Sequence, residues 1–253
     1  MTNFIMMDND TLTNTDKFNT FEKIGTEGFA LYCYLLTQQG QKTYSQITIK
    51  MISTFMDREV DKPKELIYNK NKVCNVGKLK SKKMIIRYLN LLNEYKLIIF
   101  DKSINYGINS IIIIKTVRVT DEQIEEYGFT MISEELFVDY IHKIGHIGWS
   151  LLYILTRLHN DGYGSISCEG FANPSEEYLK SIIKKDVKTI SAYLYMLKKY
   201  KLITIEKNAP VFKGKNNHGV EIFDFIPNNY VVKNRLVDTK YYIEKIDKKE
   251  EEK

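Results

Sequence analysis

The chain is poor in residues that staple, break or mark a structure: 3 cysteines, 4 prolines and 1 tryptophan in 253 residues. Cys33, Cys74 and Cys168 are odd in number, far apart and without a CxxC pair. That argues against a disulfide framework or zinc ribbon and for reduced thiols in a cytoplasmic protein. Cys33 lies in a helical apolar run and is expected in the core. No apolar run approaches the ~20 residues of a membrane span. The opening residues, MTNFIMMDND, hold neither a basic stretch nor a long apolar one, so no signal peptide and no membrane partner are expected.

Catalytic signatures are scarce too. Gly77-Lys78 is followed by Leu79 and has no glycine five residues earlier, which excludes a phosphate loop. No GxSxG and no close Cys/His arrangement occurs. His142 and His146 have the spacing of paired zinc ligands, but the intervening Lys-Ile-Gly lacks the glutamate of HExxH. The 18 tyrosines fall largely at periodic core positions, such as Tyr88, Tyr95, Tyr193 and Tyr200, rather than as isolated nucleophiles. The expectation is a protein without enzymatic activity, cofactor or metal.

What is present is globular: 43% apolar and 27% charged residues, with a net charge of +5. This mild excess permits a polyanionic partner without requiring one. Its distribution is more telling, because residues 70–83 hold six lysines and no acid.

The chain also repeats itself. Lys23-Ile-Gly-Thr-Glu-Gly-Phe-Ala-Leu-Tyr-Cys-Tyr-Leu35 aligns without gaps on Lys143-Ile-Gly-His-Ile-Gly-Trp-Ser-Leu-Leu-Tyr-Ile-Leu155, with 6 of 13 positions identical. Lys80–Ile98 (KSKKMIIRYLNLLNEYKLI) aligns on Lys185–Ile203 (KDVKTISAYLYMLKKYKLI), with 10 of 19 identical. Phe4-Ile-Met-Met matches Phe129-Thr-Met-Ile in the same way. The offset falls from 120 to 105, so the first copy carries about 15 extra residues. A unit this long reads as a duplicated domain rather than a solenoid repeat. Glu22 and Thr26 occupy the places of His142 and His146 in the first copy, so the two copies share no metal site.

The second copy is the clearer one. Ser133-Glu-Glu has the chemistry of a helix start, and a corner at Gly145/Gly148 leads into Trp149, Leu151, Leu152, Leu155 and Leu158 at helical spacing. Asp161-Gly-Tyr-Gly reads as a turn and Ser165-Ile-Ser-Cys as a short strand. Asn173-Pro-Ser-Glu-Glu starts a second helix, capped by Asn or Ser. Lys184–Thr189 turns into a third, in which Ile190, Tyr193, Leu194 and Leu197 make an apolar stripe. Lys201–Lys207 and Val220–Ile226 form a hairpin around a Lys/Gly/Asn loop holding Lys213 and Lys215. Helix, strand, helix, helix and hairpin are the order of a winged helix. The first copy repeats it with helices over Gly28–Leu36, Thr48–Phe55 and Ser81–Tyr95, and a hairpin from Leu97 to Val117.

The fold expected is therefore α+β: two tandem winged-helix (winged helix-turn-helix) domains related by internal duplication. Residues 1–119 are the first, with an insertion at about 57–72. Residues 120–128 link it to the second, 129–232, and 233–253 form a charged tail.

A helix fits the major groove, where its exposed face and first turn reach base edges and phosphates. On Ser81–Tyr95, Ile85, Tyr88, Leu89 and Leu92 face inward, leaving Lys83, Arg87 and Asn90 on the opposite side. Arginine pairs with guanine and asparagine with adenine, so this is a reading face. Lys78, Lys80, Ser81 and Lys82 surround the start of the helix. The same spacing in copy two selects Lys188, Ala192 and Tyr195, with Lys184, Lys185 and Thr189 at the first turn. That face suits phosphates better than bases. Lys213 and Lys215 on the second wing suit backbone or minor-groove contact.

Ile144–Leu155, together with the lysine-rich helix ending Leu197-Lys-Lys-Tyr-Lys-Leu-Ile, resembles the winged helices of replication proteins from plasmids and phages of low-GC Gram-positive bacteria. The groups are plasmid replication initiators and DnaD-type replisome organisers. The phrase L-x-x-Y-x-L-I followed by a strand covers about 50 residues per copy, and it marks fold more than role. The motifs of iteron-binding initiators and a DnaD-type C-terminal domain are both missing. The resemblance implies a double-stranded DNA partner, a role in replication initiation or its control, and contact with proteins such as a helicase loader. A monomer could span two adjacent grooves, and a homodimer a longer array. A transcriptional regulator or partition adaptor is the alternative on the same fold. A protein-interaction scaffold is the alternative of a different class.

Overall fold

The computed structural model describes residues 4–8, 20–56, 59–60, 74–75, 81–117, 120, 129–160, 171–215 and 221–232. The Ser165–Cys168 strand, Lys78, Lys80, most of the insertion and linker, and the 233–253 tail lie outside them. Among the described residues the chain is mixed α+β, with six helices and small antiparallel sheets.

Strand β1 (Phe4–Asp8) precedes helix α1 (Thr20–Gln39), which bends at Gly25. Strand β2 (Ser45–Thr48) runs straight into α2 (Ile49–Met56). The two-residue strands β3 (Glu59–Val60) and β4 (Cys74–Asn75) pair with each other within and beside the insertion. Helix α3 (Lys82–Glu94) is capped by Ser81, whose hydroxyl accepts from the Met84 N–H at 3.3 Å. The hairpin β5 (Ile98–Ile99) and β6 (Ile111–Thr116) completes a sheet of order β2-β6-β5. The isoleucine run of β6 alternates as a half-buried strand should: Ile112 and Ile114 inward, Ile111 and Ile113 outward.

The second half opens with β7 (Phe129–Ser133) and helix α4 (Glu134–Asn160), bent at Gly145. Helix α5 (Glu176–Ile183) is capped by Ser175, deciding between the two cap candidates. Only Lys184, Lys185 and Asp186 separate it from α6 (Val187–Lys199), which Asp186 caps through the Thr189 N–H at 2.8 Å. The strands that follow make more than a single hairpin. Strands β8 (Ile203–Glu206) and β11 (Asn229–Val232) form a base, and β9 (Val211–Lys215) and β10 (Glu221–Asp224) an outer ribbon. Lys213 and Lys215 thus lie on a paired strand rather than on the loop where the sequence suggested them. An isolated bridge between Ala172 and Tyr230 ties the stretch before α5 to the base.

Equivalent positions behave alike across the two halves. Gly25 has φ 67° and ψ 176°, and Gly145 has φ 65° and ψ 179°. This backbone conformation is essentially confined to glycine, so each bend is set by one residue. A Cβ on Gly28 would meet the Tyr88 ring at 3.1 Å, and one on Gly148 the Tyr193 ring at 3.3 Å. Both repeated phrases ending in Tyr-Lys-Leu close their helices identically. Lys96 (φ 58°) and Lys201 (φ 60°) turn left-handed, and the next N–H returns to Leu92 O at 2.9 Å and Leu197 O at 3.0 Å. Leu97 and Leu202 are then buried, as this type of helix stop requires.

The halves meet along α1 and α4, and one continuous apolar core includes residues of both. The contacts are reciprocal. The Trp149 indole donates to Cys33 Sγ at 3.3 Å, while Phe29 and Tyr153 (the positions 120 away) stack edge-on at 5.2 Å. Thr26 Oγ1 lies 2.7 Å from His146 Nδ1, again 120 residues apart. Strands β1 and β7 pair antiparallel, Phe4 with Ser133 and Asp8 with Phe129. Cys33 is fully buried as expected, and burial pushes its thiol up to about 12, the Trp149 N–H offsetting part of the rise.

Candidate nucleic-acid interface

Helix α3 presents two chemically distinct sides. Ile85, Leu89 and Leu92 are buried, with Tyr88 half-buried above Gly28. Lys83, Arg87 and Asn90 are exposed on the other side, at the i, i+4, i+7 spacing that makes one stripe. Ser81 is exposed but its hydroxyl is engaged as the cap. Lys82 is half-buried, and its ammonium donates to Asn105 Oδ1 at 3.2 Å. This bond joins the first turn of α3 to the β5–β6 loop. That loop also accepts the Lys50 N–H on Ile108 O at 3.0 Å, so the start of α3, the β5–β6 loop and α2 are held together.

The corresponding surface of the second half is organised differently. Lys188 and Tyr195 are exposed on α6, but Ala192 between them is buried, so the expected stripe is interrupted. The three-residue turn holds α5 against α6, and Ser191 next to Ala192 donates to Glu176 at the start of α5. Buried Ala192 stands where the exposed arginine stands in the first half. Thr189 donates its hydroxyl to Asp186 Oδ2 at 2.9 Å and is thereby part of the cap. Asp186 is held below the ordinary aspartate value, chiefly by the Thr189 N–H and then by its hydroxyl.

Two acids of α1, missed in the sequence, change the charge of this region. Lys184 forms an ion pair with Glu22 Oε1 at 3.2 Å. Lys185 is half-buried in the field of Glu27, which also lies 3.9 Å from His146 Nδ1. Burial raises the Glu27 carboxyl. His146, a backbone N–H, Lys185 and the Thr26 hydroxyl together outweigh that and hold it below the ordinary glutamate value. No local signal marks these acids, because Glu22 and Lys184 are 162 positions apart.

On the outer ribbon the expected phosphate contacts are also matched by acids. Lys213 Nζ lies 2.5 Å from Asp224 Oδ2, and Lys215 is registered directly opposite Glu221. Of the candidate charges, Lys83 and Arg87 on α3 are thus exposed with no ion pair among the described residues, while Lys188 lies in the field of Asp186. Among the described residues no group of three or more His, Cys, Asp or Glu could hold a metal ion, and no helix is long and apolar enough to cross a membrane. Compared with known proteins, the chain matches no family model, no curated protein and no solved structure.

Proposed function

We propose that the chain is a non-enzymatic duplex-DNA-binding protein of two winged-helix units related by internal duplication, acting in plasmid or phage replication initiation or its control. Support for the fold is the order helix, strand, helix, helix, hairpin around a β2-β6-β5 sheet. Support for duplication is the matched pairs Gly25/Gly145, Gly28/Gly148 and Lys96/Lys201, with the reciprocal contacts between α1 and α4. The observation that carries DNA binding is the Lys83–Arg87–Asn90 face, exposed on a capped helix whose far side is core. Its residue types suit guanine, adenine and phosphate. The replication role rests on the resemblance of the helix ends alone. In this reading α3 reads the site and Lys188 supplies a backbone contact, while Lys184 and Lys185 are largely spent on Glu22 and Glu27.

Fluorescence anisotropy on random duplex and on DNA flanking the gene, across a salt series, tests this. Affinity should fall steeply with salt as counterions are released. Lys83→Ala/Arg87→Ala should weaken binding by tenfold or more, on the order of 1–3 kcal/mol, and reduce the salt slope. Lys184→Ala/Lys188→Ala should cost less, through Lys188 alone. No binding at low salt would retire the reading and leave the protein-interaction scaffold. Preference for clustered direct repeats would speak for replication, and for one palindromic operator, a transcriptional regulator.

A further inference from the structure

The outer ribbon of the second wing carries large apolar side chains that the fold leaves uncovered. Val211, Phe212, Ile222 and Phe223 are 41–53% exposed, Ile226 is 42% exposed and Phe225 is 84% exposed. Every residue of β9 and β10 except Gly214 is exposed. The base, by contrast, is firmly seated. Tyr230 and Val232 are buried, and Asn208 donates to Pro227 O at 2.6 Å and to Asn229 Oδ1 at 3.1 Å where base and ribbon meet. The ribbon is thus an arm seated on its base, with its apolar side chains left exposed. A two-stranded ribbon alone in water is marginal, and one bearing this much apolar surface gains from being covered.

We propose that this arm is a self-association surface, packing against the same arm of a second copy of the chain in a two-fold dimer. Charge argues against DNA as the occupant: the ribbon's two lysines face two acids, Lys213 with Asp224 and Lys215 with Glu221, leaving no net charge. The same balance lets two identical arms approach without repulsion, each offering both signs. Area agrees. At roughly 200 Å² per large side chain, the exposed fractions over both faces of the arm and its root amount to about 600 Å², so two clasped arms offer at most ~1,200 Å², the lower bound of a specific interface. The contact is through side-chain faces rather than added strands. A bulge between Ile222 and Phe223 and the flanking lysines blunt the ribbon edges against strand addition.

Sedimentation velocity of the full chain without DNA, at concentrations on the order of 10 µM where an interface of this size associates, tests the proposal. Wild type should sediment as a dimer. Phe225→Asp should raise the dimer dissociation constant at least about tenfold with an unchanged melting temperature at dilutions where both proteins are monomers, since the side chain it replaces touches little of its own fold. Should that variant lower the melting temperature, Ile222→Lys supplies the second reading of the same surface. Ile111→Ser/Ile113→Ser, on the outward face of β6, should leave the dimer intact. A wild-type monomer, or a dimer indifferent to both arm variants, would overturn the proposal. So would arm variants that keep their oligomeric state but lose duplex affinity, which would assign the arm to DNA. Because the sedimentation runs contain no DNA, the dimer stands or falls independently of the DNA-binding reading.

Discussion

A methyl group on Gly148 would meet Ile144 Cβ at 2.8 Å, a contact that branched, buried Ile144 cannot relieve by turning its far end. The matching position Gly28 is less strict. Its nearest neighbours stand at 3.1 Å, and one of them is the ring of half-buried Tyr88, which can give way. Gly148→Ala is therefore expected to cost about 1–3 kcal/mol by overpacking, and Gly28→Ala distinctly less. Urea denaturation of the two variants checks the order. Equal losses would mean that the two helix approaches are not set by these side chains.

Among the elements, the stops of α3 and α6 explain why the same Tyr-Lys-Leu phrase appears twice. A lysine in the left-handed region is strained by about 1 kcal/mol, and glycine at that place is not. Lys96→Gly and Lys201→Gly should each raise stability by roughly 0.5 kcal/mol, the gain being trimmed by glycine's freedom in the unfolded chain. Thermal melts would detect it. A loss instead would show that the lysine stems contribute packing that outweighs the strain. The starts of the helices are equally local: Ser81, Ser175 and Asp186 each accept the N–H three residues on, as sequence chemistry alone anticipates. What local chemistry could not deliver was the outer ribbon of the second half. Its lysines were read as a loop because Lys, Gly and Asn favour turns. Pairing with Glu221–Asp224 draws them into a strand.

For the molecule as a whole, the shared core predicts cooperative unfolding. The single tryptophan, Trp149 of α4, is fully buried and bonded to Cys33 of α1 in the other half. Its fluorescence therefore reports the contact between halves, while far-UV circular dichroism reports the helices. The two urea curves should coincide, as two-state unfolding requires. Fluorescence changing at lower urea than ellipticity would mean that the halves part before either unfolds.

Sequence by itself determined what depends on near neighbours. It located the three helices of each half, Ser175 as a cap candidate, the bend near Gly145 and the apolar stripe of α3, because periodicity and capping act within a turn or two of the chain. It also identified Lys83, Arg87 and Asn90 as one exposed face. Only the tertiary structure decided which candidate charges remain uncompensated. Glu22 reaches Lys184 and Glu27 reaches Lys185 because α1 packs beside α5, bringing together residues more than 150 positions apart. The burial of Ala192 also emerges only in the packed molecule, and the arm is exposed because its strands pair only with each other. Electrostatic pairing and solvent exposure depend on distance in space, and a one-dimensional pattern carries no measure of that across a fold.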